Sequence, residues 1–146
     1  MAKLTCPIRQ HAQQHPTQPA LWNAGVTFNY QQLDARLNAL QQQLRRAGLK
    51  SGDHLFLCSP NSAELVMLLW ACWREQIVCC PINPAFPKNR QLQLQQQVHA
   101  TLRWPSDELI LDFTAQVPAS TAYELHDSAL SNLIFTSGSS GSPKVV

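Results

Sequence analysis

Residues 53–84 read DHLFLCSPNSAELVMLLWACWREQIVCCPINP, and the polar breaks divide this stretch into three parts. DHLFLCS, residues 53–59, is a short apolar run of strand length, too short for a helix. PNS follows, where the side-chain oxygen of Asn61 or Ser62 can accept from the free amides at the start of a helix. ELVMLLWACW then carries one charge, Glu64, which marks a helix buried around most of its circumference. That run is well short of the ~20 residues needed to cross a bilayer. QIVCC is a second apolar strand, closed by Pro81 and Pro84. Apolar strands alternating with a helix are the unit of a parallel sheet covered on both faces, so the expected class is α/β.

The flanks extend this pattern. Residues 20–30, ALWNAGVTFNY, predict two short strands joined at Asn23-Ala24-Gly25, an N-terminal hairpin. In QQLDARLNALQQQLRRAGL, Leu33, Leu37, Leu40 and Leu44 recur at helical spacing with polar residues between them. Arg45 and Arg46 fall in the last turn, where positive charge complements the free carbonyls, and Gly48 can cap the end. Residues 88–100, KNRQLQLQQQVHA, predict a short amphipathic helix. TLRW and ELILDF are expected strands around a turn at residues 105–107, and LSNLIFTS (residues 130–137) a final strand. No internal repeat is apparent.

The bulk numbers limit the function classes. A 146-residue chain is of single-domain length, and can bury roughly 68–70% of its unfolded surface. With 45% hydrophobic and 14% charged residues the chain is globular. A net charge of +2 with scattered basic residues gives no nucleic-acid footprint. The N-terminus lacks an apolar core of signal-peptide length, and with no membrane span the expected location is cytoplasmic. The five cysteines form no CxxC pair, and Cys58, Cys72, Cys79 and Cys80 sit in apolar runs as small hydrophobes, consistent with a reducing compartment. The five histidines are dispersed, so no metal site is expected. Trp22, Trp70, Trp73 and Trp104 are expected in the core or at a subunit interface.

Chemistry concentrates in TSGSSGSPK, residues 136–144. Gly138 and Gly141 open backbone conformations closed to other residues and let amides approach a ligand. Successive amides in such a turn form an anion-binding concavity. Thr136, Ser137, Ser139, Ser140 and Ser142 add hydroxyl donors, and Lys144 adds a positive charge suited to phosphate. The loop is not a Walker A loop, because Gly141 is followed by Ser142-Pro143-Lys144 rather than Lys-Ser/Thr. Residue types alone leave two readings: a phosphate loop, or a flexible Ser/Gly linker or expression scar. The apolar strand before it and Pro-Lys-Val-Val after it favour the first.

FTSGSSGSPK resembles the phosphate-gripping signature of the adenylate-forming superfamily: acyl-CoA synthetases, luciferases and the adenylation domains of peptide synthetases. Thr136, Ser137, Gly138, Ser139, Gly141, Pro143 and Lys144 match its pattern; Ser140 replaces a threonine and keeps the hydroxyl, and Val145 replaces a common glycine. HAQQHPTQPAL, TFNYQQLDARLNALQQQLRRAGLKSGD, NSAELVMLLWACW and PINPAFP resemble the opening region of these enzymes in the same order. Glu75–Gln76 departs from the Gly-Ala pair often found between that helix and strand. Within the superfamily, the short lead-in and the wording of the loop are most similar to the o-succinylbenzoate–CoA ligases of menaquinone synthesis.

The resemblance implies a specific fold and activity. The fold would be the N-terminal portion of the large adenylate-forming domain, a mostly parallel sheet flanked by helices with a short N-terminal hairpin. The activity would use ATP and Mg2+ to convert a small carboxylic acid to an acyl-adenylate, with coenzyme A then attacking to give a thioester. Thr136, Ser137, Ser139 and Ser140 would supply hydroxyl contacts to the phosphates, Gly138 and Gly141 the turn, and Lys144 the cation. The family's Tyr-Gly-x-Thr-Glu and Thr-Gly-Asp stretches and its C-terminal lysine domain do not occur in these 146 residues, so no catalytic residue is assigned. The expectation is therefore a partial AMP-binding domain over residues 1–146, truncated just after the loop, inactive alone and prone to self-association. A noncatalytic module with a vestigial anion loop is the competing class; an in-frame continuation past codon 146 would separate the two.

Overall fold

The computed structural model describes residues 3–118, 124–126, 131–137 and 143–145. In chain order the elements are β1 (Lys3–Thr5), α1 (Pro7–Gln14), β2 (Pro19–Asn23), β3 (Val26–Asn29), α2 (Tyr30–Arg46), β4 (His54–Leu57) and α3 (Ala63–Arg74). They continue with β5 (Val78–Pro81), α4 (Lys88–Gln97), β6 (Leu102–Trp104), β7 (Glu124–His126), β8 (Phe135–Ser137) and β9 (Pro143–Val145).

The unit read from residues 53–84 is the centre of the fold. Ser62 caps α3, its hydroxyl accepting from the Leu65 amide at 3.1 Å. β4 and β5 pair in parallel with Leu55 opposite Cys79 and Phe56 opposite Cys80. β6 pairs in parallel with the other edge of β4, giving the order β5-β4-β6. The step from β4 to β5 and the step back across to β6 run in opposite directions. With crossovers of constant hand, their helices fall on opposite faces. Accordingly Leu55, Leu57 and Cys79 pack with the leucines of α2 and the apolar side of α3, while Phe56, Cys80 and Ile82 pack with Leu94 and Val98 on the α4 side. Both faces are covered, which is why these strands are continuously apolar.

α2 begins with a capping box: Asn29 Oδ1 accepts from the Gln32 amide and Gln32 Oε1 from the Asn29 amide. It ends as expected near Gly48, whose φ of +90° lets its amide reach Arg45 O while the Leu49 amide reaches Leu44 O. The hairpin is also as expected, β2 antiparallel to β3 with Ala24 and Gly25 both at positive φ.

Two expected strands are corrected. ELILDF forms no strand, because its backbone is bound by side chains of α2 instead of a neighbouring ladder. Gln43 Oε1 accepts from the Asp112 amide at 2.7 Å, Gln43 Nε2 donates to Asp112 O at 2.9 Å, and Arg36 Nη1 donates to Phe113 O at 3.0 Å. Within LSNLIFTS only residues 135–137 are a strand, and its partner is β9, antiparallel, rather than the parallel sheet. Residue 130 lies outside the described residues. β1 pairs antiparallel with β7, a pairing between segments too distant in sequence to be read from local pattern.

α1 was not foreseen either, and it is held by a buried polar network. Arg9 donates to Asp34 at 2.8 Å and to Asn38 at 2.6 Å; Arg74 donates to Asp34 at 2.7 Å, to Asn38 at 3.2 Å and to Gln41 at 3.3 Å. These side chains are nearly all out of solvent and join α1, α2 and α3.

Candidate functional site

The site expected from the sequence is built on the outer edge of β5. Residues 131–133 lie alongside it: the Cys79 amide donates to Ser131 O and the Leu133 amide to Cys79 O, each at 2.8 Å, with Asn132 opposite Cys79 in a parallel bridge. From α3, Trp73 Nε1 donates to Asn132 Oδ1 at 3.2 Å. On the opposite face Leu133 and Phe135 pack against the cluster of Phe56, Cys80, Ile82, Leu94 and Val98. The chain then departs into β8, which pairs with β9 in the register Phe135 to Val145, Thr136 to Lys144 and Ser137 to Pro143.

Thr136 and Ser137 therefore lie in β8 and Lys144 in β9, while Gly138, Ser139, Ser140 and Gly141 lie outside the described residues. The register brings the two ends of the motif together. Opposed residues of an antiparallel pair stand ~4.5–5.5 Å apart at Cα, so Thr136 and Lys144 become direct neighbours. The hairpin was missed in the sequence because β9 is three residues long and opens with a proline. The Trp73–Asn132 contact was missed as well; its only signal was the polar pair Ser131-Asn132 ahead of the apolar run Leu133–Phe135.

The donor set suits an anion. From residue 128 to residue 146 Lys144 is the only charged side chain in the sequence, so this stretch supplies hydroxyls, amides and one ammonium group and no carboxylate that would repel phosphate. Among the described residues no group of three or more His, Cys, Asp or Glu is placed to hold a metal ion.

The thiols are enclosed rather than poised for attack. Cys72 is pushed well up by its hydrogen bond with Cys79 and by burial, Cys80 is pushed up to about 12 by burial and the neighbouring Cys79, and burial raises Cys58 against the opposing pull of Arg103. A raised thiol is a poor nucleophile at neutral pH. Trp70, Trp73 and Trp104 are half-buried against the main core, whereas Trp22 is 67% exposed on the hairpin and is not a core residue. A cleft of about 550 Å3 between α1 and α2 has the Arg9–Asp34 pair at its floor and Gln13, Gln31 and Gln116 among its walls. The carboxylate there is already engaged by two guanidinium groups.

Residues 8–146 match the family described as AMP-binding enzyme. The chain belongs to that family. Among solved structures it is similar to the o-succinylbenzoate coenzyme A synthetase (MenE) of Bacillus subtilis in complex with AMP, with a TM-score of 0.83 at 21% identity, covering 99% of this chain and 42% of that one. The same enzyme in complex with ATP and magnesium ion gives a TM-score of 0.82. The N-terminal subdomain of Klebsiella oxytoca NpsA gives 0.80 at 22% identity, covering 95% of this chain and 38% of that one. At these identities the likeness is one of fold, and it confirms an α/β adenylate-forming architecture with a parallel sheet.

By sequence, tyrocidine synthase 3 of Brevibacillus parabrevis is 28% identical over 151 residues, 94% of this chain and 2% of that protein. Enterobactin synthase component F of Escherichia coli is 27% identical over 160 residues, 98% of this chain and 12% of that protein. The chain thus spans less than half of the solved relatives and a small part of the curated ones. Among the described residues no helix is long and apolar enough to cross a membrane.

Proposed function

We propose that this chain forms the nucleotide-phosphate grip of an ATP-dependent acid–thiol ligase, with Thr136, Ser137, Ser139, Ser140 and Lys144 contacting phosphate oxygens and Gly138 and Gly141 shaping the turn. The observation that carries this reading is the register of β8 and β9, which sets Lys144 opposite Thr136 at the base of the loop. Fixed donors of this kind act where charge develops. They would hold ATP so that a carboxylate oxygen attacks the α-phosphorus, and stabilise charge on the departing pyrophosphate. Mg2+ bound with ATP would neutralise phosphate charge; this stretch offers it hydroxyls but no carboxylate.

The short lead-in and the wording of the loop favour an acid–coenzyme A ligase of the o-succinylbenzoate type, working in the cytoplasm in menaquinone synthesis, and the chain shares the fold of MenE over 99% of its length. The sequence likeness to the tyrocidine and enterobactin synthases supports a second reading, an adenylation domain acting on another acid. Both share the adenylation step and the role of the loop. The adenine and coenzyme A contacts would come from motifs that these 146 residues do not contain, and the isolated chain, as a partial AMP-binding domain, is expected to give no ATP–pyrophosphate exchange.

Calorimetric titration of the chain with pyrophosphate tests the grip. Binding should appear in the wild type and weaken roughly tenfold or more in Lys144→Ala, the scale of one charge-assisted hydrogen bond. Absent binding, or equal affinity in the variant, would overturn the assignment. In a longer polypeptide carrying the remaining motifs, Lys144→Ala should slow adenylation more than thioester formation; equal loss in both half-reactions contradicts a phosphate role.

A further inference from the structure

We infer that Trp73 is a positioning residue for the paired strands β8 and β9, acting through Asn132; its bearing on phosphate rests on the reading above. Among the described residues β8 and β9 form a ladder only with each other, so their backbone tie to the parallel sheet runs through residues 131–133. The backbone tie at residues 131–133 is narrow. Both of its hydrogen bonds end on one residue, Cys79, which accepts from Leu133 and donates to Ser131. A single bridge of that kind leaves the segment able to swing about Cys79 until something fixes its rotation.

Two contacts on opposite faces do so. In a strand successive residues alternate between faces. Asn132, opposite Cys79, belongs to the α3 side, and Leu133 to the α4 side. Leu133 and Phe135 supply non-directional packing on one side, and the indole N–H of Trp73 supplies a directional bond to Asn132 Oδ1 on the other, at 3.2 Å. It is the one side-chain hydrogen bond from residues 131–135 to the rest of the fold among the described residues. Trp73 is itself held edge-on against Trp70, with ring centroids 5.1 Å apart. The contact also gives a partner to a half-buried asparagine four residues ahead of Thr136.

The test uses Trp73→Phe, which keeps an aromatic ring and removes the donor, Asn132→Leu, which keeps the volume and removes the acceptor, and Asn132→Asp, which keeps an acceptor. Amide hydrogen exchange of the 146-residue chain is read by peptide, beside urea stability and pyrophosphate affinity. Trp73→Phe and Asn132→Leu should each speed exchange about 2–10-fold across residues 131–137 and 143–145, the scale of one neutral hydrogen bond, with other segments unchanged. The double variant should do no more than either single one, and Asn132→Asp should retain wild-type protection. Pyrophosphate affinity should fall in step with the lost protection. Unchanged exchange in the hairpin, or a rise spread over the whole chain in proportion to lost stability, overturns the positioning role. Should the wild type fail to bind pyrophosphate while the exchange pattern holds, the phosphate reading falls and the anchoring of the hairpin by Trp73 stands.

Discussion

Replacing Asp34 with asparagine probes how the first half of the chain is held together. The carboxylate is 5% exposed and takes bonds from two guanidinium groups, Arg9 at 2.8 Å from α1 and Arg74 at 2.7 Å from α3. Asparagine preserves the shape, but it lacks the charge and presents a donor to one of them. Two charge-assisted hydrogen bonds at about 1.5–3 kcal/mol each suggest a loss of roughly 3–6 kcal/mol. Buried pairs broken from one side typically cost about 3–5 kcal/mol, so we expect a loss near 4 kcal/mol. Against a whole-domain stability of about 5–15 kcal/mol that is a large fraction. With a urea m-value of about 1–3 kcal/mol/M, the midpoint should fall by roughly 1.3–4 M. Arg45→Ala is the control. Arg45 forms an ion pair with Glu75 between α2 and the end of α3, but its side chain is 55% exposed, and the loss should stay below about 1 kcal/mol. The assay is urea unfolding followed by far-ultraviolet circular dichroism. A loss under about 1 kcal/mol for Asp34→Asn, or one matched by Arg45→Ala, would refute the view that this network clamps α1 to α2 and α3.

Gln76 sits just past α3 at a φ of +56°, a conformation glycine adopts freely, and the Ile77 amide reaches back to Cys72 O at 2.9 Å. Gln76→Gly should raise stability by about 0.5–1 kcal/mol after loss of the exposed Ser51–Gln76 bond; a lowered melting temperature contradicts that. Cys80 titrates near 12 in the fold against 9.0 for an unperturbed thiol. Above pH ~9 the unfolded chain loses the proton first, so stability should fall with rising pH by up to about 1.4 kcal/mol per unit, and Cys80→Ala should flatten that slope. Below pH ~8 the group should have no effect, and identical alkaline slopes for the two proteins would refute the burial argument. Trp22, Val26, Leu92, Ile110 and Ile134 are all exposed, and the isolated chain should self-associate on size-exclusion chromatography. A sharp 16.3 kDa monomer would count against this.

Local physics made part of this protein legible from its residues. The strand–helix–strand unit, the hairpin and α2 each carry their own signal: an apolar run between breaks, the turn residues Asn23-Ala24-Gly25, a leucine period with caps at its ends. The phosphate reading of the loop motif rests on its glycines, hydroxyls and one lysine in a short span.

Contacts between distant segments decided the rest. Periodicity marks ELILDF as a strand, but Gln43 and Arg36 take its backbone groups, so no ladder forms. Arg9 lies in a largely polar segment, and Asp34 and Asn38, 25 and 29 positions away, hold it in the interior. The fold gives Glu75 and Gln76 each a place that no local pattern states: Glu75 binds Gln41 and Arg45, and Gln76 takes the left-handed turn. For the candidate site the sequence supplied the groups, while register and the edge of β5 supplied their placement. A strand pattern states which residues share a face, but hydrogen-bond partners are chosen only when remote edges meet, and that choice set Lys144 opposite Thr136 and Asn132 beneath Trp73.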